Sequence, residues 1–186
     1  IEGSRVLVIG LGDIGTAFAR KMKGLGCRTV GIKRREARKP EGVDDLFTLE
    51  RLEQQLPKAD IVALCLPGYE GTYHMLNEER IAMLKENAVV LNVGRGMTVD
   101  TEALTKALRE GRIAGACLDV TDPEPLPSEH PLWDMDNVIL TPHVSGRFSL
   151  PETLEKILNI CIENLECYLV KRPLRNVIDR KTGYRM

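Results

Sequence analysis

A strand, a glycine turn and a helix near the amino terminus constrain the fold of this 186-residue chain more than any other feature. The apolar run 6–9 predicts a short buried strand, and residues 16–25 carry apolar side chains at helical spacing. Between them lies a turn with the spacing G-x-G-x-x-G, namely Gly10-Leu11-Gly12-Asp13-Ile14-Gly15. A second strand, predicted over 28–32, completes the βαβ unit in which this spacing is meaningful.

Each glycine of the turn has a separate physical task. Gly10 permits the tight turn, Gly12 lets a pyrophosphate approach the backbone, and Gly15 lets helix and strand pack closely. The N-terminus of the helix then offers N–H groups and the positive end of its dipole to phosphates. The turn therefore predicts dinucleotide binding; the alternative is a glycine turn that serves packing alone.

Basic residues follow the second strand, where NAD-binding units carry an acidic residue for the ribose hydroxyls. This chain has Lys33, Arg34 and Arg35 there. A guanidinium binds a 2′-phosphate through paired hydrogen bonds, whereas a carboxylate repels it. The pattern favours NADP(H) over NAD(H), which remains possible, with Arg34 as the best candidate for the phosphate contact. The alternative is a solvated basic loop.

Strands and helices alternate along the rest of the chain, which is typical of a Rossmann-type α/β fold with a doubly wound parallel sheet. Further strands are predicted over 60–66, 88–93, 114–120 and 138–141. Helices are predicted over 49–56, 78–84 with Asn77 as cap, and 100–109 with Asp100 as cap. A long amphipathic helix over 150–171 is predicted to pack in a core or at a subunit contact. We expect a dinucleotide-binding domain at 1–147 and a separate helix and tail at 148–186.

Charge and cysteine usage exclude several classes of partner. The net charge of −1 gives no global field toward nucleic acid or anionic membrane, and no apolar run approaches the length of a membrane span. The five cysteines lack metal-ligand spacing, and Cys65 and Cys117 lie in apolar runs that predict buried, reduced thiols. We expect a cytoplasmic protein without a metal site. A chain beginning at Ile1 is expected to be a processed or truncated piece.

Three side chains with potential chemistry follow predicted strands. Arg95 stands between two glycines, which suits an anion or a polarised carbonyl; the alternative is an ordinary surface arginine. Glu124 lies in a stiff loop with three prolines, and His143 follows the last strand. The other two histidines carry no predicted chemistry: His74 is expected to be packed or on the surface, and His130 to be exposed.

Several motifs together resemble the D-isomer-specific 2-hydroxyacid dehydrogenases. They are the glycine turn, Leu64-Cys65-Leu66-Pro67 with Thr72, Asn92-Val93-Gly94-Arg95-Gly96, Leu118-Asp119-Val120 through Glu124-Pro125-Leu126-Pro127, His130-Pro131-Leu132-Trp133, and Asn137 through His143. Their order and register run across nearly the whole chain. In having Lys33 where NAD-using members have an acidic residue, the chain resembles NADP-preferring reductases of glyoxylate or hydroxypyruvate.

The resemblance implies the roles of individual residues. Arg95 would hold the substrate carboxylate and polarise its C2 carbonyl, and His143 would exchange a proton with the oxygen. Glu124 would pair with His143, since a carboxylate favours a protonated imidazole. Asp119 would lie near the nicotinamide carboxamide, although capping a loop is an equally simple role. The resemblance also implies that Arg95, Asp119 and His143 contact the cofactor, together with Gly10, Leu11, Gly12, Asp13, Ile14, Gly15, Lys33, Arg34, Arg35, Cys65, Leu66, Pro67, Thr72, Val93, Gly94, Ser145 and Gly146.

The resemblance also implies an oxidoreductase that transfers a hydride between a nicotinamide cofactor and C2 of a small 2-hydroxy or 2-keto acid. Members have two domains and commonly form dimers through this one, so we expect a homodimer. The chain would be the cofactor-binding domain, inactive alone, with the tail 173–186 returning to an absent substrate domain. Alternatives are a corepressor-like module that senses NAD(P) without catalysis, and a structural fragment that binds nothing.

Overall fold

The computed structural model describes residues 1–146, 150–181 and 183, which form two compact units, Ile1–His143 and Val144–Met186. The first unit is built on seven parallel strands. They are β1 (Arg5–Ile9), β2 (Arg28–Lys33), β3 (Asp45–Thr48), β4 (Ile61–Leu64), β5 (Val89–Asn92), β6 (Gly115–Leu118) and β7 (Val138–Leu140). Their spatial order is β3-β2-β1-β4-β5-β6-β7, which confirms the predicted Rossmann-type fold class.

The helices of the first unit cover both faces of this sheet. They are α1 (Asp13–Gly24), α2 (Leu52–Gln55), α3 (Glu78–Ala82) and α4 (Thr101–Arg109). One core cluster joins Val6 and Val8 of β1 to Ala19 and Met22 of α1. A larger cluster joins the opposite face, including Leu7 and Ile9, to α2, α3 and α4. Alternate residues of the same strand therefore face two separate cores, which explains why the strands are continuously apolar.

The order of the strands reverses beside β1, between β2 on one side and β4 on the other. In an open parallel sheet, this switch point leaves a crevice outside the carboxyl ends of the strands. The glycine turn follows β1, so it lies at that crevice. The fold thus directs the loops after β1, β2, β4, β5, β6 and β7 toward one edge.

Strand β3 was absent from the sequence prediction. Its four residues are all half-buried and pair with β2 from Val30↔Asp45 to Lys33↔Thr48. The preceding Asp44 anchors this edge, since its carboxylate accepts hydrogen bonds from Lys23 and from the Thr29 backbone N–H. The Lys23 ammonium, followed by the Thr29 N–H, lowers the pKa of Asp44 to about 2. Pairing with β2 thus fixes a segment too short to show a strand pattern of its own.

Helix boundaries were only partly predicted. Asn77 and Asp100 cap α3 and α4 as expected, accepting from the backbone N–H of Arg80 and Ala103 at 3.0 Å. The helix predicted over 49–56 is instead a 3₁₀ turn, the single turn α2 and a second 3₁₀ turn. Pro57 in the second 3₁₀ turn is consistent with this break, because proline cannot donate a helical hydrogen bond.

The second unit contains the helix α5 (Pro151–Leu169). Of the two predicted roles, packing in a core is wrong within this chain, because none of its apolar side chains is buried, and a subunit contact stays a prediction. The exposed ones include Leu154, Leu158, Ile162 and Leu165. The expected domain boundary at 147/148 and the tail residues Thr182 and Tyr184 lie outside the described residues. None of the helices in the described parts of the chain is long and apolar enough to span a membrane.

The contact between Gly15 and Gly10 gives a test of the packing at the turn. A Cβ on Gly15 would lie 2.0 Å from the Gly10 carbonyl oxygen, so Gly15→Ala should lower the free energy of unfolding by about 1–3 kcal/mol. Gly24→Ala in the same helix is the matched control, because its Cβ would meet nothing within 4 Å. Urea denaturation should find Gly24→Ala neutral or stabilising. Equal destabilisation by the two variants would contradict the close contact.

Candidate active site

The glycine turn presents backbone rather than side chains to the crevice. Leu11 is buried in the core, whereas Ile14 is 60% exposed. A Cβ on Gly12 would meet no atom of the described residues within 4 Å, and no described side chain caps the N-terminus of α1. The turn therefore leaves open space in front of backbone N–H groups, which fits a pyrophosphate.

The basic cluster lies at the same edge of the sheet. Lys33 ends β2, and Ile32 of that strand pairs with Ile9 of β1 just before the glycine turn. Arg34 and Arg35 follow and are exposed. The positive charges therefore stand beside the crevice at the place where the ribose end of a dinucleotide would lie.

The segment after β4 lies against the glycine turn. The Cys65 N–H donates to the Ile9 carbonyl at 2.9 Å, and burial raises the pKa of the half-buried Cys65 thiol to about 11. The thiol is therefore protonated and unreactive at neutral pH. Thr72 is buried, and its hydroxyl donates to the Pro67 carbonyl at 2.8 Å and accepts from the Tyr69 N–H at 3.1 Å. Thr72 thus holds its own loop, while its contact with a nucleotide stays a prediction.

The loop after β5 carries Arg95 and is wedged against the loop after β6. A Cβ on Gly96 would lie 1.8 Å from the Thr121 carbonyl oxygen, so only glycine allows this approach. The Arg95 Nη1 donates to the Gly94 carbonyl at 2.7 Å. The guanidinium is therefore folded over its own loop at the carboxyl edge.

Asp119 follows β6 and is a buried carboxylate, with 5% of the residue exposed. The Thr141 hydroxyl donates to Asp119 Oδ1 at 2.5 Å. The Asp119 backbone carbonyl accepts from the His143 N–H at 2.9 Å. Side chain and backbone of Asp119 thus link the ends of β6 and β7.

His143 and Glu124 form a pair within the first unit. Nδ1 of His143 lies 2.6 Å from Glu124 Oε1, and both side chains are about two-fifths exposed. The His143 backbone has φ +52°, in the left-handed region that a β-carbon disfavours. Such strain is retained where the surrounding structure fixes it, most often at functional sites. The structure therefore brings together two residues that are 19 positions apart in the sequence.

The remaining site predictions have simpler outcomes. Ser145 and Gly146 form a turn at the start of the second unit. His74 is half-buried as expected, stacked on Tyr73 with ring centroids 3.9 Å apart. Within the described ranges, no group of three His, Cys, Asp or Glu side chains could hold a metal ion.

Two expectations on burial are wrong. His130 is 9% exposed rather than on the surface, because its Nδ1 accepts the Leu132 N–H and caps the short 3₁₀ helix Pro131–Asp134. Cys65 and Cys117 are half-buried rather than fully buried. A histidine before a proline at a helix start is a capping signal that the sequence reading missed.

Asn92 and Thr141 are site residues whose side-chain contacts the sequence analysis did not predict. Asn92 ends the otherwise apolar β5 and is buried, with its amide bonded to the Arg95 loop. The available signal was a polar residue on the same face of the strand as the buried residues Ala88 and Val90. Thr141 carried no comparable pattern.

Known proteins are similar to this chain in sequence. Residues 1–145 match the family described as D-isomer specific 2-hydroxyacid dehydrogenase, NAD binding domain. A glyoxylate reductase of Thermococcus onnurineus (strain NA1) is 41% identical over 191 residues, which cover 99% of this chain and 56% of that protein. The chain therefore spans little more than half the length of this curated relative.

Two solved structures share the fold. A D-isomer specific 2-hydroxyacid dehydrogenase from Xanthobacter autotrophicus Py2, in complex with NADPH and MES, is 40% identical with a TM-score of 0.88; the match covers 97% of this chain and 73% of that one. The NAD complexed form of a D-isomer specific 2-hydroxyacid dehydrogenase from Lactobacillus delbrueckii ssp. bulgaricus is 28% identical with a TM-score of 0.81, covering 95% and 56%. This chain belongs to the D-isomer specific 2-hydroxyacid dehydrogenase family and carries its NAD-binding domain.

The bond from Thr141 to Asp119 gives a second test. Thr141→Val removes a donor from a buried carboxylate, so we expect the free energy of unfolding to fall by about 1–3 kcal/mol. Thr141→Ser keeps the hydroxyl, so its free energy of unfolding should fall by less. Urea denaturation of both variants at neutral pH measures the difference, and equal losses would show that the hydroxyl does not stabilise Asp119.

Proposed function

We propose that this chain is the cofactor-binding part of a two-domain NAD(P)-dependent oxidoreductase that interconverts a small 2-keto acid and its 2-hydroxy acid. Glyoxylate and hydroxypyruvate are the preferred candidates for the keto acid. The observation that carries the proposal is the 2.6 Å pair of His143 and Glu124 at the sheet edge that also holds Arg95 and the glycine turn. A module that only senses a nucleotide has no need of these three side chains together.

The chemistry divides among these side chains. The nicotinamide, when bound, supplies or accepts the hydride at C2. His143 donates a proton to the carbonyl oxygen during reduction and accepts it during oxidation. Because Nδ1 contacts the Glu124 carboxylate, Nε2 is the ring nitrogen left for this transfer, and Glu124 orients the ring. Arg95 binds the substrate carboxylate and polarises the C2 carbonyl.

The cofactor side of the site uses the glycine turn and the strand ends beside it. The backbone of residues 10–15 and the N-terminus of α1 would hold the pyrophosphate. Asp119 would receive the nicotinamide carboxamide, with the segments 65–67 and 93–94 and Thr72 completing the site within the first unit. NADP(H) is the preferred cofactor because Lys33, Arg34 and Arg35 would attract its 2′-phosphate.

The assembly and location belong to the same proposal. We propose a cytoplasmic homodimer: the five thiols are free, which fits a reducing compartment. The exposed apolar side chains of α5 offer surface for contact with another domain or subunit.

Turnover tests the role of His143. In the full-length protein, His143→Ala should lower kcat for glyoxylate or hydroxypyruvate reduction by about 10²–10⁴-fold, because the proton donor is lost. The Kd for the nucleotide should change little, since His143 is not among the groups that bind phosphate. Steady-state kinetics and a fluorescence titration measure the two effects. A His143→Ala protein that keeps its turnover would contradict the proposal, and one that loses nucleotide binding would make the residue structural.

A titration of this chain with NADPH and with NADH tests the cofactor preference. We expect NADPH to bind more tightly than NADH at moderate salt. Arg34→Ala should weaken the binding of NADPH alone by about tenfold, as expected for the loss of one charge-assisted contact. Gly12→Ala should weaken both cofactors, because its methyl group would occupy the open space before the turn. Equal binding of the two cofactors, or no effect of Arg34→Ala, would make the basic cluster an ordinary surface run.

A further inference from the structure

Asn92 directs its whole side-chain amide into the loop that carries Arg95. The residue is 1% exposed. Its Nδ2 donates to the Arg95 carbonyl at 3.0 Å and to the Thr98 hydroxyl at 3.4 Å, and its Oδ1 accepts the Gly94 N–H at 3.1 Å. One amide therefore contacts the loop on both sides of Arg95.

Thr98 completes the same network from the other end of the loop. It is fully buried, and its hydroxyl donates to the Arg95 carbonyl at 2.7 Å. The Thr98 N–H donates to that carbonyl as well, at 3.1 Å. Three donors thus converge on the backbone oxygen of Arg95, which fixes the position from which its guanidinium extends.

The sheet itself does not need an amide at this position. Asn92 pairs in register with Leu64 of β4 and Leu118 of β6, both of which lie in the apolar core. An apolar residue there would pack without any hydrogen-bond partner, whereas a buried amide requires partners for its donors and acceptor. The partners that Asn92 finds all belong to the Arg95 loop.

The same residue also connects that loop to the rest of the site. The Asn92 backbone carbonyl accepts the Asp119 N–H at 3.0 Å, and the Asp119 carbonyl in turn accepts the His143 N–H at 2.9 Å. A shift of the Asn92 backbone would therefore alter the spacing between Arg95 and His143.

We propose that Asn92 and Thr98 are positioning residues: they hold the Arg95 loop so that the guanidinium meets the substrate carboxylate. The proposal rests on the function proposed for Arg95. Its consequence is that removing the clamp should impair binding of the keto acid far more than binding of the nucleotide, because the pyrophosphate and the 2′-phosphate would be held at β1 and β2.

Thr98→Val is the decisive variant, because it removes the hydroxyl at nearly constant volume, and Thr98→Ser is its matched control. In the full-length protein, Thr98→Val should raise the KM for glyoxylate or hydroxypyruvate about tenfold, as expected for a misplaced binding group. The Kd for NADPH should stay within about twofold of the wild-type value, and Thr98→Ser should restore most of the KM. Asn92→Ala should have the larger effect if it folds.

Amide hydrogen exchange of this chain supplies a readout that does not depend on turnover. The Gly94 and Thr98 N–H groups should exchange faster in Thr98→Val than in Thr98→Ser, while amides of β1 stay unchanged. An unchanged KM in Thr98→Val, or an equal rise of KM in both variants, would overturn the positioning role. Arg95→Ala separates the two proposals: if it leaves KM and kcat unchanged, the function proposed for Arg95 fails, whatever Thr98→Val does.

Discussion

The site depends on direct backbone contact between neighbouring strand ends. Parallel strands lie about 4.8 Å apart, so loops that leave the same edge reach one another only where side chains do not intervene. A Cβ on Gly10 would lie 2.7 Å from the Cys65 carbonyl oxygen, and a Cβ on Gly96 would lie 1.8 Å from the Thr121 carbonyl oxygen. The hydrogen bond from His143 to Asp119 continues this contact to β7. Backbone contacts alone therefore bring residues from distant parts of the sequence to one edge of the sheet.

The edge is divided according to the type of interaction. On the side of β1 and β2, backbone N–H groups and solvent-exposed basic side chains attract negative charge. Such attraction does not require a fixed side-chain geometry. On the side of β5, β6 and β7, buried residues such as Asn92, Thr98 and Asp119 fix geometry. Under the proposed function, the first side would hold the phosphates of the cofactor through many weak contacts, and the second would fix the groups that face the nicotinamide and the small acid.

Much of this arrangement could be predicted from the sequence, and the exceptions have a common cause. Apolar strands, glycine spacing and the caps Asn77 and Asp100 are local patterns, and the structure confirms them. Strand β3 and the burial of His130 depend on partners elsewhere: β3 exists through its pairing with β2, and His130 caps a turn within a loop. The amide of Asn92 in the core was visible in the sequence, but its three partners lie in a loop whose path no periodicity describes.

The left-handed backbone of His143 has a conformational cost that the stability of the fold does not require. A glycine at that position would adopt φ +52° without opposition from a β-carbon, so stability alone would not select histidine there. The chain accepts a conformational cost in order to keep an imidazole beside Glu124. Selection of variants for thermal resistance alone is therefore expected to discard His143 early, whereas selection for the proposed activity is expected to retain it.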